Sequence, residues 1–480
     1  MKHTTLIFLL IIWLCSISSN ANAASPPLQC KLPNSSIFKQ IKAIKVHQFV
    51  LQNGLRLLVI PDHQSPFFTM RLVYAAGSRD ETNGQSGYAH LVEHLMFKGS
   101  AHIKDGAFMS AIEFAGGSAN ASTDYDRTDF WAQLPKNYLQ RALWMEADRM
   151  QQLVLTKQSI DNQRQAVKEE KALRLTNQPY LNIASHFIIK QWKNTPYGHL
   201  LIGSDKDLNQ ADKQKMESWL AAYYHPSNSV LAITGDVDPD TVFSLVKKYF
   251  AHIPAGKKRQ EITDRAVVQQ KIQQTLYDPM APWPVHALGW QTPGFAHKDS
   301  TAIRVVNDLL FQKPDGILYR ELLEKQKLAI AVEHLDYGFQ YIALANAIIV
   351  PHSYASNSRI KKTLDRALVK LQQRGFSSQQ LCRMVKTRIT STVSSYQRPL
   401  SLVTLLSDDL IVQNDIFYSV KQMQNLLHFD VSQANKILQH YYSENYLFIT
   451  IEPGWFTRMI KTLTEWMPDS FGQYFEEKFL

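Results

Sequence analysis

The sequence predicts an α+β protein made of two similar halves, and three observations support this. Runs rich in β-branched and aromatic residues, such as 55–60 and 69–75, alternate with helical stretches such as 139–153. Two segments about 218 residues apart, beginning at Tyr223 and Tyr441, each show a helix end, a loop, a β-rich run and a turn that leads into an amphipathic segment, at 241–250 and 456–463. The chain has 480 residues, of which 45% are hydrophobic, and this is enough for two domains with cores.

The N-terminal 23 residues have the pattern of a secretory signal. Lys2 precedes an apolar run over 6–14, and the segment ends in Ala21-Asn-Ala23, a small-residue cleavage pattern. We expect export, a mature chain that starts near Ala24, and a periplasmic location, with secretion as the second choice. A permanent transmembrane anchor is not expected because the apolar run is too short to span a bilayer.

The remaining sequence divides into two halves joined by a polar connector. The charged segment 255–264 is polar enough to run over the surface, so it marks the connector. The predicted layout is an N-terminal extension at 24–39, a first half at 40–252, a linker at 253–275, a second half at 276–470 and a C-terminal tail at 471–480.

Composition excludes some functions. The net charge is +10, but the basic residues are scattered and no aromatic-basic patch is present, so a nucleic-acid partner is not expected. Only Cys30 and Cys382 would remain after signal cleavage, which does not describe a disulfide scaffold, and their spacing does not tell whether they meet.

The most informative motif is His90-Leu-Val-Glu93-His94. Residues four apart lie on one face of a helix, so both imidazoles can reach one cation while Glu93 sits beside them. Ser86 is the predicted N-cap of this helix. The alternative is a pair of core histidines with a solvated glutamate.

A catalytic zinc site of this type needs a third protein ligand, and Glu170 is the best candidate. Helical periodicity places Glu170 on the inward face with Gln163 and Val167, whereas Glu169 points outward. A structural ion pair is the competing explanation for a carboxylate on this face.

These motifs resemble those of the pitrilysin-type peptidases, which include insulin-degrading enzyme and the mitochondrial processing peptidase. That family has an H-x-x-E-H motif followed by a glutamate about 75 residues later, and here Glu170 lies 76 residues after His94. Further matches are Gly84-Gln-Ser-Gly87, Phe97-Lys-Gly99 and the segment 116–124, which resembles the family's edge strand.

The resemblance implies a pair of α+β sandwiches, each a mainly antiparallel sheet backed by helices, with an active first half and an inactive second half. One Zn²⁺ per chain would be held by His90, His94 and Glu170. It would acidify a bound water, and Glu93 would take the water's proton and later pass it to the leaving amine. The substrate, a small or unfolded peptide, would add as a β-strand along Asn120-Ala121. Zinc is favoured over manganese or cobalt, although such ligand sets accept several divalent ions.

The second half repeats the apolar frame of the motif helix without its ligands. Arg304, Asn307 and Asp308 align with His90, Glu93 and His94, so the second half cannot hold the same metal. The alternative is that two amphipathic helices look alike by necessity.

Two positions depart from the family pattern. Gln163 stands where active relatives often carry a second glutamate near the metal, which removes a charge from its surroundings. In the second half, Leu323 and Ile330 align with an Arg and a Tyr that hold substrate carbonyls in many single-chain members, and neither can donate a hydrogen bond.

We therefore hypothesise that the chain is the catalytic subunit of a two-chain peptidase whose inactive homologous partner supplies the missing donors. A self-sufficient homodimer that uses Tyr319 or Arg320 is the rival hypothesis. A third hypothesis is that the protein is not an enzyme but a non-catalytic scaffold or metal-binding assembly subunit of the same fold. The intact motif argues against this hypothesis because inactive copies lose these residues.

Overall fold

The computed structural model describes residues 31, 33, 36–257, 271–353 and 355–455. The predicted signal peptide at 1–23, Cys30, residues 258–270 of the predicted linker and the predicted tail at 471–480 lie outside the described residues. The first described helix, α1 (Ser36–Lys42), begins within the predicted extension.

The first half is built on a sheet of six strands. In chain order these are β1 (His47–Val50), β2 (Arg56–Pro61), β3 (Phe67–Tyr74), β4 (Ser118–Thr123), β5 (Thr128–Pro135) and β6 (Ser229–Gly235). Their spatial order is β1-β2-β6-β3-β5-β4. Only β2 and β6 run parallel to each other; the other pairs are antiparallel. Every residue of β6 is buried, as its apolar, β-branched sequence predicts for a central strand.

Seven helices of the first half are α2 (Tyr88–Leu95), α3 (Ala107–Phe114), α4 (Leu139–Gln151), α5 (Lys157–Lys171), α7 (Asp205–Asn209), α8 (Lys213–Tyr223) and α9 (Pro239–Phe250). Their apolar faces form one core with the sheet. Local sequence explains several of their starts. Thr156 caps α5, and Asp238 followed by Pro239 begins α9, because each cap side chain accepts an exposed backbone N–H.

The second half repeats this plan. Its strands are β7 (Ile272–Asp278), β8 (Val285–Pro293), β9 (Ala329–Glu333), β10 (Asp336–Gly338), β11 (Ile342–Pro351) and β12 (Leu447–Pro453). The order is β10-β11-β8-β12-β7, and β9 pairs with another part of β11. Its helices are α10 (Ser300–Phe311), α11 (Ile317–Arg320), α12 (Asn357–Arg374), α13 (Ser378–Ser395), α14 (Pro399–Gln413), α15 (Tyr418–Asn425) and α16 (Val431–Tyr441).

The correspondence between the halves is close in sequence as well as in topology. Helix α16 begins and ends at the same sequence offset from α8 as Tyr441 has from Tyr223. Strand β12 is related to β6 by the same offset. The single parallel pair, β2 with β6, has its counterpart in β7 with β12. The prediction of two similar α+β halves is therefore confirmed. The predicted amphipathic segment at 241–250 lies within α9, and its predicted counterpart at 456–463 is outside the described residues.

One helix of each half packs against the sheet of the other half. Helix α14 of the second half packs against β3 and β6 of the first sheet. Helix α6 (Leu181–Gln191) of the first half packs against the second sheet, where Phe187 contacts the cluster of Leu447 and Ile449. The first residues of these two helices are separated by the same sequence offset as Tyr223 and Tyr441. Each sheet is thus covered on one face by its own helices and on the other by a borrowed helix.

Polar contacts reinforce this junction. Arg71 on β3 is 1% exposed, and its guanidinium donates to Asp129 at 3.1 Å and to Asp408 on α14 at 2.8 Å. A nearby aromatic cluster joins Tyr125 and Tyr197 of the first half to Phe339 of the second. The two halves therefore share both an ionic and an aromatic contact region.

Two further observations concern the rest of the molecule. Among the helices that the structure describes, none has the length and apolar character needed to cross a membrane. Cys382, on α13, is disulfide-bonded.

Candidate metal centre and substrate groove

Helix α2 presents the inverted motif. Leu91, Val92 and Leu95 are fully buried and fix one face of the helix in the core, which turns His90 and His94 toward α5. The two imidazole rings stand edge to face with centroids 4.8 Å apart.

The predicted N-cap of α2, Ser86, is wrong. Gly87 is the N-cap and has φ = +96°, a left-handed conformation that favours glycine. The buried carboxylate of Glu81 accepts the N–H groups of Gly87 and Ala89, both at 2.9 Å. A side chain from outside the helix therefore takes the place of the local cap, and His199 contacts the same carboxylate at 3.0 Å. The contact between Glu81 and His199 depends on tertiary structure and has no local sequence signal.

Glu170, near the end of α5, faces the two histidines. Its Oε2 atom lies 3.1 Å from Nε2 of His94 and 3.6 Å from Nε2 of His90. The other carboxylate oxygen accepts from Arg174, one helical turn later, at 2.7 Å. Glu169 instead accepts from the side chain of Gln165, on the outer face of the helix.

These residues fit a divalent cation. Two imidazole nitrogens and one carboxylate oxygen lie within 4.8 Å of one another, and this is the one such cluster within the described ranges. Ligands about 2.1 Å from a tetrahedral zinc ion stand about 3.4 Å apart, which lies between the two distances measured from Glu170 to the histidines. The buried Nδ1 atom of His90 has no hydrogen-bond partner among the described residues.

Electrostatics favours the metal-binding forms of two ligands. Burial and the neighbouring His94 lower the pKa of His90 to about 4, so its imidazole is neutral at pH 7. The contact with His94, together with His90 and Arg174, lowers the pKa of Glu170 against the effect of burial. A neutral imidazole and an ionised carboxylate are the species that bind zinc.

Glu93 lies beside this cluster and is held by the end of β4. Its Oε2 atom accepts the hydroxyl of Thr123 at 2.5 Å. Burial raises the pKa of the Glu93 carboxyl, while the hydrogen bond from Thr123 opposes that shift. The sequence did not point to Thr123, because its position depends on the register of β4 against the helix.

A groove of about 790 Å³ opens along these residues. Gln163, 8% exposed, lies in its wall close to the candidate ligands. Tyr337 and Phe339 reach the groove from the second half. Its lining also includes Phe97, Lys98, Asn120, Ala121, Ser122, Tyr125, Leu175, Ser185, Ile189, Leu200, Leu201 and Ile202.

Strand β4 forms one border of the groove and is an outer strand of the first sheet. It pairs with β5 on one side, and no other described strand pairs with it. The Ala121 N–H donates to the side-chain oxygen of Asn120 at 2.9 Å. The structure therefore places the predicted substrate-binding pair on an outer strand, within reach of the candidate metal ligands.

The second half carries a charge-inverted counterpart of this site. Arg388 corresponds to Glu170 at the sequence offset that relates α8 to α16, and its guanidinium donates to both oxygens of Asp308, at 2.7 and 3.0 Å. His334 contacts the same carboxylate at 3.1 Å. Burial raises the pKa of Asp308, but His334 and Arg388 outweigh it and bring the pKa below the ordinary value. The aligned position of His94 thus holds an anion, and that of Glu170 holds a cation.

The second-half residues that were discussed in connection with substrate carbonyls lie outside the groove. Leu323 packs against the core of the second half, and Ile330 is 62% exposed. Tyr319 is buried in the same core, and Arg320 pairs with Glu324 on the surface. Neither the two aligned residues, Leu323 and Ile330, nor the two alternative donors, Tyr319 and Arg320, belong to the groove lining among the described residues.

A two-part α+β fold with an H-x-x-E-H helix opposite a glutamate defines a metalloendopeptidase of the inverted-motif class. The family model described as "Insulinase (Peptidase family M16)" matches residues 56–204, and "Peptidase M16 inactive domain" matches residues 210–387. Together these matches cover more than half of the chain, which belongs to peptidase family M16.

Two of the similar proteins match most of the chain. "Zinc protease PqqE" of Helicobacter pylori is 26% identical over 420 residues, covering 85% of this chain and 93% of that protein. The crystal structure of a protease from Helicobacter pylori superposes with a TM-score of 0.77 at 25% identity, over 85% of this chain and 99% of that chain.

Two other relatives are matched over about half of their own length. The probable mitochondrial-processing peptidase subunit beta of Arabidopsis thaliana is 25% identical over 265 residues, covering 54% of this chain and 49% of that protein. The periplasmic protease PqqL of Escherichia coli has a TM-score of 0.72 at 18% identity, over 90% of this chain and 50% of that chain. At that identity the likeness to PqqL concerns the fold.

Proposed function

We propose that this protein is an exported, zinc-dependent endopeptidase that cleaves small or unfolded peptides. The observation that carries the proposal is the convergence of His90, His94 and Glu170, with Glu93 beside them, in a groove bordered by an outer strand. Zinc is also the metal in the name of the similar Helicobacter pylori protease. We assign one zinc ion to each chain.

Each residue has a distinct task in this proposal. His90, His94 and Glu170 hold the zinc ion, which when bound acidifies a water and polarises the scissile carbonyl. Glu93 accepts the proton of the attacking water and returns it to the leaving amine. Thr123 orients the Glu93 carboxylate through its hydroxyl.

Substrate binding follows from the outer strand. A peptide added beside β4 forms main-chain hydrogen bonds, which supply affinity with little dependence on side chains. Most backbone groups of a folded protein are already paired within it, so peptides and unfolded segments are the expected substrates. Asn120 and Ala121 are the residues that we assign to this contact, and Gln163 is a neighbour of the metal ligands.

The decisive test replaces Glu93 with Gln. The variant keeps a carbonyl oxygen of the same shape but cannot act as a base, so kcat for a quenched unstructured peptide library should fall about 10²- to 10⁴-fold. Zinc content, measured by plasma mass spectrometry, should stay at one ion per chain. Glu169→Gln, which removes an outward carboxylate one residue from a ligand, is the matched control and should retain activity.

Wild-type cleavage should also stop with a chelator and return with added zinc. Unchanged cleavage by Glu93→Gln would refute the general-base assignment. A folded, zinc-loaded wild-type chain without any peptidase activity would favour the scaffold alternative or a missing partner.

We further propose that the chain acts with an inactive homologous partner. The support is that Leu323 and Ile330 cannot hold substrate carbonyls and that neither Tyr319 nor Arg320 lies in the groove. The homodimer is the alternative. Sedimentation analysis during turnover separates them, because full activity of a monomer would contradict both, and activity that appears only at the mass of two identical chains would favour the homodimer.

Export is proposed from the pattern of residues 1–23. N-terminal sequencing of the protein recovered from the periplasmic fraction should give a start near Ala24. An intact Met1 in a cytoplasmic fraction would contradict export and leave the catalytic proposal untouched.

A further inference from the structure

A second cavity, of about 380 Å³, lies at the counterpart of the metal site in the second half. Its wall contains Arg304, Asn307 and Arg388, which occupy the positions of His90, Glu93 and Glu170. The wall also includes residues of β8, β10, β11, α14 and α15, and Asp124, Asp126 and Arg127 of the first half. This volume lies at the small end of the range for ligand sites.

Three residues of this wall each have a buried side-chain atom that lacks a hydrogen-bond partner among the described residues. These atoms are Oδ1 of Asn307, Oγ1 of Thr292 and Nε2 of Gln413. Asn307 is 3% exposed and Thr292 is 1% exposed, so bulk water does not satisfy them. Native proteins rarely leave such atoms unpaired, and a set of three around one cavity indicates a polar guest.

The wall also contains a buried carboxylate without a cation. Asp409 on α14 is 7% exposed and accepts the N–H and the hydroxyl of Ser419, at 2.8 and 2.7 Å. None of the ion pairs found among the described residues includes Asp409. Burial, with the neighbouring carboxylates Asp408 and Asp415, raises the pKa of Asp409 to about 7.

Two of the guanidinium groups on the wall pair with carboxylates other than Asp409. Arg388 is engaged by Asp308, and Arg127 is engaged by Asp129 and Asp408. Four carboxylates and three guanidinium groups line the cavity: Asp124, Asp126, Asp408, Asp409, Arg127, Arg304 and Arg388. Asp124 and Asp408 pair with Arg127, and Asp126 pairs with Arg79 outside the lining, so Asp409 is the one carboxylate of the lining that has no ion pair among the described residues.

We propose that this cavity binds a small ligand through a primary ammonium group, with Asp409 as counter-ion and Asn307 and Thr292 as further acceptors. A primary ammonium is compact and carries three N–H donors, which suits one carboxylate and two neutral oxygens. The amide of Gln413 is then available to a carbonyl or hydroxyl oxygen of the same ligand. The ammonium belongs either to a free amine or to the first residue of a short peptide.

The test uses ligand-observed NMR titrations of the full zinc-loaded chain that carries Glu93→Gln, which prevents cleavage. The probes are butylammonium and alanyl-alanine amide, and their neutral counterparts are 1-butanol and N-acetyl-alanyl-alanine amide. At least one ammonium probe should bind saturably, and the neutral counterparts should not. Binding of butylammonium indicates a free amine, and binding of the dipeptide amide alone indicates a peptide N-terminus.

Cavity variants locate the binding. Asp409→Asn should weaken the ammonium probe about tenfold or more, since a charge-assisted hydrogen bond is lost. Asn307→Leu keeps a similar shape without the unpaired acceptor; it should weaken binding without lowering Tm, and it carries the test if Asp409→Asn does not fold. Asp415→Asn is the matched control, because it removes a neighbouring carboxylate that does not line the cavity.

The proposal is overturned if neither ammonium probe binds or if binding persists unchanged in both cavity variants. It is also overturned if Asp415→Asn weakens binding as much as Asp409→Asn does. These outcomes do not depend on whether the first half is a peptidase.

Discussion

Thr123 links the proposed substrate strand to the proposed base. Its hydroxyl donates to Glu93 at 2.5 Å, and it is the last residue of β4. A peptide added to β4 would therefore lie next to the residue that orients the carboxylate. Under the proposed function, substrate binding and proton transfer would be coupled through this side chain.

Replacing Thr123 with Val should lower kcat roughly tenfold, because the shape is kept and one hydrogen bond to a charged group is lost. Zinc content should not change. Steady-state kinetics on a quenched peptide provide the measurement. Ser122→Ala is the control, since that hydroxyl donates to Asp129 and not to Glu93. Equal kcat in wild type and Thr123→Val would show that the hydrogen bond has no catalytic role.

At the same scale, the Asp308–Arg388 pair gives the second half a pH-dependent contribution to stability. The folded-state pKa of Asp308 lies below its ordinary value of 3.8. The contribution is therefore fully present above pH 3.8 and is lost as the pH falls through the lower folded-state value.

Asp308→Asn should lower the free energy of unfolding by about 3–5 kcal/mol at pH 7, because Arg388 is left largely buried without its anion. The difference between variant and wild type should shrink in urea titrations below pH 3.8. Asp161→Asn, at an exposed pair with Lys157, should change stability much less. A difference that stays constant down to the lowest pH at which both proteins fold would contradict the assignment.

At the scale of the element, the start of α2 depends on a close backbone approach. Gly87 and Gly203 both have positive φ, and a Cβ built on Gly87 would lie 2.7 Å from the Cα of Gly203. Gly203 adjoins residues 200–202, which line the groove. The close approach of these two glycines therefore brings the helix that carries the histidines next to one wall of the groove.

Gly87→Ala and Gly84→Ala separate contact from backbone strain. Both glycines have positive φ, so each substitution should cost about 1–2 kcal/mol from the left-handed conformation. A Cβ on Gly84 meets nothing within 4 Å. Gly87→Ala should therefore cost a further ~1–3 kcal/mol from overpacking, and it should also weaken zinc binding in a chelator competition. Equal losses in the two variants would show that the close contact does not matter.

The sequence predicted which helices form better than it predicted where each helix begins. Apolar periodicity was sufficient for the motif helix and for the inward position of Glu170, because both depend on spacing within one helix. The prediction of the N-cap was wrong. Ser86 was predicted from its residue type, whereas Gly87 is the N-cap and Glu81, from outside the helix, accepts its N–H. Arg174 had a usable signal, since oppositely charged residues four apart on a helix pair often.

At the scale of the whole molecule, the internal sequence repeat predicted two halves but not how they meet. The reach of Tyr337 and Phe339 into the groove depends on how the two halves pack, which no local pattern encodes. The offset of the repeat would have identified Arg388 as the counterpart of Glu170. The buried contact of Arg71 with α14 had no sequence signal, because its partners are distant from it along the chain.

Arg71→Met tests how strongly the halves are joined. The substitution leaves Asp408 and Asp129 without one of their cations, so the free energy of unfolding should fall by about 3–5 kcal/mol. Urea denaturation followed by tryptophan fluorescence measures this change. Lys136→Met, at a surface pair with Asp236, is the control and should have little effect. Stability equal to wild type in Arg71→Met would show that apolar packing alone holds the junction.

The exchange of α6 and α14 between the two halves also resembles the arrangement of a domain-swapped dimer. Two identical copies that exchange one helix each form a swapped homodimer, and joining their genes end to end gives this arrangement. In such an arrangement the second half is needed even without metal ligands, because its helix α14 covers the first sheet. The positions aligned with the metal ligands can then carry other chemistry while the architecture stays, and here the Asp308–Arg388 pair occupies two of them.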